Sequence, residues 1–195
     1  MFMLSTSSHS YNGFNQYSFV TLLHSPLALP YLLHSQPVKR RALLLVTKDA
    51  STNQYVTLIN QRTPLVPVKL TVDPGGRFIW VDCQNGYVSS TLTPLICDTL
   101  FCRLSHSGMC SSNCTGSSPG HPNKDCTYSH FAYNPVSHTS TGTELYEDVI
   151  TLHNTDGSKP GPYLKPNKVV FSCADTSLLK GLANGVKGIA GFGNS

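Results

Sequence analysis

The 195 residues of this chain are enough for one domain with a substantial core, or for one lobe of a larger protein. Only 12% of them are charged, beside 15 Gly and 13 Pro, which suits many short strands joined by turns and argues against long helices. The formal net charge of +4 is modest, and its one basic cluster, Lys39-Arg40-Arg41, is too short to argue for a nucleic-acid partner.

Residues 1–38 contain no Lys, Arg, Asp or Glu. A secretory signal combines a positive start, an apolar centre and small residues at the cut, and the positive start is missing here. The apolar part, residues 19–33, is interrupted by His24, Ser25, Pro26 and Pro30 and falls short of the about 20 apolar residues that a membrane span needs. Residues 1–41 therefore read as an atypical or degraded leader, expected to be disordered, and no membrane span is expected.

Apolar runs at 42–45 and 55–59 flank Lys48, Asp49 and Ser51, which predicts two short strands with a turn between them. Residues 66–72 alternate, with Val66, Val68, Leu70 and Val72 on one face and Pro67, Lys69 and Thr71 on the other. This half-buried strand runs into Asp73-Pro74-Gly75-Gly76. Asp, Pro and Gly are turn formers, so Asp73 opening a hairpin turn is the plain reading. A carboxylate held at a tight turn before the apolar run 78–81 is also a candidate catalytic group.

Seven cysteines follow: Cys83, Cys97, Cys102, Cys110, Cys114, Cys126 and Cys173. Cys110 and Cys114 lie close to His106 and His121, but the flanking spacings fit no common zinc pattern, and no metal is expected. The Ser-, Gly- and Pro-rich stretch 84–128 is expected to be a long irregular loop held by disulfides. Disulfides imply an oxidising compartment, and an odd count leaves one thiol without a partner inside this chain. Asn113-Cys114-Thr115 is a formal N-glycosylation sequon. Further on, a strand is predicted at 168–173 and a short helix at 176–182, with Gly185 as a stop signal. The Gly-rich run 188–193 gives little support for phosphate binding, and no cofactor is expected. No Gly-x-Ser-x-Gly elbow occurs, and a Cys-His nucleophile needs a free low-pKa thiol that a disulfide scaffold does not leave.

Residues 72–83, Val-Asp-Pro-Gly-Gly-Arg-Phe-Ile-Trp-Val-Asp-Cys, resemble the first active-site loop of pepsin-like aspartic peptidases. There a strand enters Asp-Thr-Gly-Ser, and two residues later come an aliphatic residue, Trp and Val; Ile79, Trp80 and Val81 fall in register. Together with 42–67, 86–90 and 169–193, the stretch is more closely similar to the plant branch that has lost peptidase activity. That branch holds the cereal xylanase inhibitors, the extracellular dermal glycoprotein and the basic globulins of legume seeds. The resemblance covers residues 42–195. It implies a mainly β fold: a single N-terminal lobe of the pepsin-like kind, closed and barrel-like, with one or two short helices, stapled by disulfides and with the C-terminal lobe missing. It pairs Cys83 with Cys173 and leaves the partners of Cys97, Cys102, Cys110, Cys114 and Cys126 open. It places the flap hairpin in 128–153, with Gly142 near its turn and 149–152 as the return strand. Active relatives carry Tyr-Gly at the flap tip. This chain reads Tyr133-Asn134-Pro135, and ordinary packing is the simpler account of Tyr133. The run 188–193 resembles the element that passes beside the active-site loop.

An aspartic peptidase shares one proton between two carboxylates about 3 Å apart, one from each lobe. Asp73 stands at the vestigial position of the first. The family's next residue, Thr, bridges the lobes through a hydroxyl and an N–H, and Pro74 has neither. The family's Ser or Thr three residues after the Asp hydrogen-bonds the carboxylate, and Gly76 has no side chain to do so. Removing one such oriented group costs about 100-fold in rate. The resemblance thus implies a non-catalytic protein of the xylanase or endoglucanase inhibitor type, extracellular or in the cell wall, with secreted microbial glycoside hydrolases as partners. Two alternatives stand beside it: an aspartic endopeptidase that completes its dyad with Asp73 of a second copy, and a gene fragment without independent function.

Overall fold

The computed structural model describes residues 4–8, 18–23, 41–76, 78–95, 129–155 and 159–193. Cys97, Cys102, Cys110, Cys114, Cys126 and the sequon residue Asn113 lie outside the described residues, as does most of the expected cysteine-rich loop.

The described chain is mainly β. In order it forms β1 (Leu4–Ser8), β2 (Ser18–Leu23), β3 (Arg41–Lys48), β4 (Tyr55–Gln61), β5 (Val66–Asp73), β6 (Ile79–Asp82) and β7 (Thr93–Pro94). These are followed by β8 (Ser129–Asn134), β9 (Thr139–Thr151), β10 (His153–Thr155), β11 (Pro160–Tyr163), β12 (Asn167–Ala174), a 3-10 turn at Thr176–Leu179, and β13 (Gly188–Gly191). One continuous sheet runs β1-β2-β3-β4-β5-β13-β6-β12-β9-β7, with β4 also pairing with β9.

Local chemistry fixes the predicted β3–β4 hairpin. The Asp49 carboxylate accepts the N–H groups of Ser51 and Thr52, each at 3.1 Å, and their hydroxyls at 2.7 and 3.0 Å. These bonds hold its pKa down at about 2, and Asn53 completes the turn at φ 59°, a region that Asn tolerates. In β5, Val68 and Leu70 are buried as the alternation predicts. Thr71 on the opposite face is buried too, because the strand lies inside the sheet and is covered on both sides.

β13 is the strand that organises the centre. It pairs in parallel with β5 and antiparallel with β6, so two strands consecutive in sequence are held apart by a third. β6 also pairs in parallel with β12. Around them lies a core of Leu44, Val46, Ile59, Val68, Leu70, Val81, Phe171 and Ala190, against which Tyr87 stacks on Phe171 with ring centroids 5.6 Å apart. Cys83 and Cys173 form a disulfide between the ends of β6 and β12, the pair that the resemblance implies.

Strands β1 and β2 fall within residues 1–41. Pairing on the open edge of β3 uses backbone groups, so a segment without charge can still extend the sheet. Two expectations change. The helix expected at 176–182 is only the 3-10 turn Thr176–Leu179. Its N-cap, Asp175, makes no side-chain cap bond because its carboxylate accepts from Gln84 Nε2, and Gly181 at φ 83° turns the chain away. Gly142 is not near the hairpin turn but inside β9, opposite Phe131. The turn is at residues 135–138, where Asn134 Oδ1 accepts the N–H groups of Val136 (2.8 Å) and Ser137 (3.2 Å). Asn-Pro turn chemistry outcompetes the glycine.

Candidate functional site

β5 delivers Asp73 to the top of the sheet, where it stands beside Gly191 of β13 in parallel register. The loop is closed on itself and on the two residues after β13. Asp73 Oδ1 accepts the Gly75 N–H at 2.9 Å, and its carbonyl accepts the N–H groups of Gly76 (3.3 Å) and Phe192 (3.1 Å). Gly193 donates to the Gly76 carbonyl at 2.7 Å. The approach needs glycine: a Cβ at position 191 would sit 2.5 Å from the carbonyl oxygens of both Gly76 and Phe78.

Gly76 is crowded differently. A Cβ there would lie 2.8 Å from Asp73 Oδ2 and 3.2 Å from its Cγ, so the carboxylate occupies the room that the first side-chain atom of a Ser or Thr would take. With no Cβ at position 76, the acid folds back over its own turn. Pro74 is exposed and has no N–H to offer.

Asp73 lines a half-open cleft of about 220 Å³ together with Phe78, Trp80, Phe131, Tyr133 and Ser172. The roof is the β8–β9 hairpin, where Phe131 and Tyr133 are 59% and 47% exposed. Tyr133 lines the cleft, its hydroxyl pairs with His138 Nδ1 at 3.0 Å, and its carbonyl accepts Trp80 Nε1 at 3.0 Å. The hairpin is latched at its base by Asn134, fully buried, whose Nδ2 donates to the carbonyls of Leu178 (2.7 Å) and Lys180 (3.0 Å).

Sequence reasoning missed Phe131 and Ser172. Phe131 alternates with Ala132 and Tyr133 along β8, a period-two signal hidden by the polar residues on either side. Ser172 interrupts the apolar run of β12, the one visible hint that this position faces something other than core. Among the described residues that line the cleft, Asp73 is the only acid, and no group of three or more His, Cys, Asp or Glu among them could hold a metal ion.

A strand, β13, wedged between the two strands that flank the Asp73 turn, with the β8–β9 hairpin over that turn, is a pepsin-like arrangement. Similarity to known proteins places it within that class. The chain belongs to the xylanase inhibitor N-terminal family, whose model matches residues 55–195. It is 44% identical over 154 residues to the probable aspartic proteinase GIP2 of Nicotiana benthamiana, across 78% of this chain and 35% of that protein. Among solved structures, the crystal structure of edgp matches with a TM-score of 0.66 and 51% identity, over 77% of this chain and 36% of that one. Conglutin gamma, a basic 7S globulin from lupine seeds, matches with a TM-score of 0.67 and 38% identity, over 79% of this chain and 40% of that one. The chain therefore spans well under half the length of these relatives.

Proposed function

We propose that this chain is a non-catalytic pepsin-like lobe of the glycoside-hydrolase inhibitor type, acting in the extracellular space or cell wall and binding secreted microbial xylanases or endoglucanases. The observation that carries the non-catalytic part is the position of the Asp73 carboxylate, which fills the space beside Gly76 where a supporting hydroxyl would have to begin. Catalysis by a carboxylate pair needs a second acid about 3 Å away, and such an acid would have to come from outside the described cleft. Family membership supports the inhibitor reading, and the Cys83–Cys173 disulfide supports an oxidising location.

Binding is tested by titrating purified microbial xylanases and endoglucanases against the immobilised chain, alone and completed by a C-terminal lobe of the same family. Saturable association with at least one enzyme is expected in one of the two formats. No association in either removes the inhibitor reading.

A further inference from the structure

We propose that the cleft beneath the β8–β9 hairpin is a receptor for an organic cation, an alkylammonium or guanidinium group on a short aliphatic stem. This goes beyond the inhibitor reading and does not depend on it.

Three observations converge. The walls are aromatic, with Phe78, Trp80, Phe131 and Tyr133 around a space of about 220 Å³. Aromatic faces attract cations, most strongly where water is excluded. Among the described residues that line the cleft there is a single carboxylate: Asp73 uses Oδ1 to accept the Gly75 N–H, and no donor among the described residues reaches Oδ2. A lone anion among aromatic rings favours a positively charged partner that carries its own N–H donors. Finally, Ser172 is fully buried and lines the cleft, yet its hydroxyl has no hydrogen-bond partner among the described residues. Buried hydroxyls are nearly always paired, so this one marks a place for an absent polar group. A purely apolar ligand would leave Asp73 Oδ2 and the Ser172 hydroxyl without a donor or acceptor, whereas an ammonium or guanidinium supplies donors to both while its stem packs on the rings.

The chain supplies its own reporter, because Trp80 is its only tryptophan and it lines the cleft. Trp80 emission of the full 195-residue chain is titrated with n-butylguanidinium and n-butylammonium, with 1-pentanol, one methylene longer than the ammonium, as the neutral control. A saturable change is expected for the cations, with affinity at least about tenfold above that for 1-pentanol. Asp73→Asn retains the Oδ1 acceptor and removes the charge, and is expected to weaken the cation about tenfold while leaving 1-pentanol unchanged. Ser172→Ala, which alters no charge, is expected to weaken the cation about threefold. An acetylated, amidated Gly-Arg-Gly peptide separates the sources: tighter binding than n-butylguanidinium indicates a side chain presented by a polypeptide, and equal binding a free cation. Equal affinity for cation and alcohol, an unchanged Kd in both variants, or no saturable response overturns the proposal. If Asp73→Asn fails to fold, the alcohol comparison and Ser172→Ala decide it.

Discussion

At the scale of single residues, the clearest device is glycine used as absence. Gly191 admits two carbonyl oxygens to within 2.5 Å of where a Cβ would stand, and both belong to the rigid backbone of the Asp73 loop. Gly191→Ala is expected to lower stability by about 3 kcal/mol, read as a fall in the urea midpoint at unchanged slope. Asp148 shows the opposite case, a buried polar residue that is fully satisfied. Its carboxylate receives Tyr87 (2.7 Å), Ser89 (3.1 Å), Thr91 (2.5 Å) and its neighbour's N–H, that of Val149 (2.8 Å). Burial pushes its pKa up, but these hydrogen bonds outweigh burial and leave it below the ordinary range. The same contact, with burial, pushes the Tyr87 hydroxyl up. Since the folded-state pKa is depressed, the stabilisation is complete above the unfolded value of about 3.9 and is lost as pH falls through the lower folded value. Acid titration of stability should therefore show a fall in that window that is smaller in Asp148→Asn. Asp148→Ala, which removes the carboxylate acceptor of three part-buried hydroxyls, is expected to cost about 3 kcal/mol at neutral pH.

At the scale of elements, what the sequence discloses depends on how local the cause is. The β3–β4 turn, the alternation of β5 and the Asp73 turn are written in neighbouring residues and are legible as such. The β8–β9 turn is local too, but two signals compete: Gly142 attracts attention, while Asn134 and Pro135 actually set the bend. The 3-10 turn falls short of a helix for a tertiary reason, since Asp175 bonds to Gln84 from another loop. Ser172 shows in the sequence only as a polar break in the apolar run of β12; that its hydroxyl has no partner among the described residues emerges only from the fold. Asn134 is the latch between hairpin and 3-10 turn. Asn134→Ala is expected to cost about 2 kcal/mol and to raise amide exchange at Val136 and Ser137 of the turn above that of β8 and β9.

For the molecule as a whole, β13 threading between β5 and β6 ties a late segment to an early one, and the Cys83–Cys173 disulfide closes a sequence separation of 90 residues. Closing a loop of that length restricts the unfolded chain by about 4–5 kcal/mol in the chain-entropy model. The paired replacement Cys83→Ala with Cys173→Ala should lower stability by about that amount. At this scale the resemblance in residues 72–83 anticipated the lobe and the disulfide, because it captures long-range contacts that composition and periodicity do not carry. Function turns on whether the Asp73 loop binds or cuts. The most direct measurement is turnover of an unstructured fluorogenic peptide by the full chain at acidic pH, beside Asp73→Asn and with and without pepstatin. A non-catalytic lobe predicts turnover no greater than that of Asp73→Asn; pepstatin-sensitive cleavage that disappears in Asp73→Asn would contradict it.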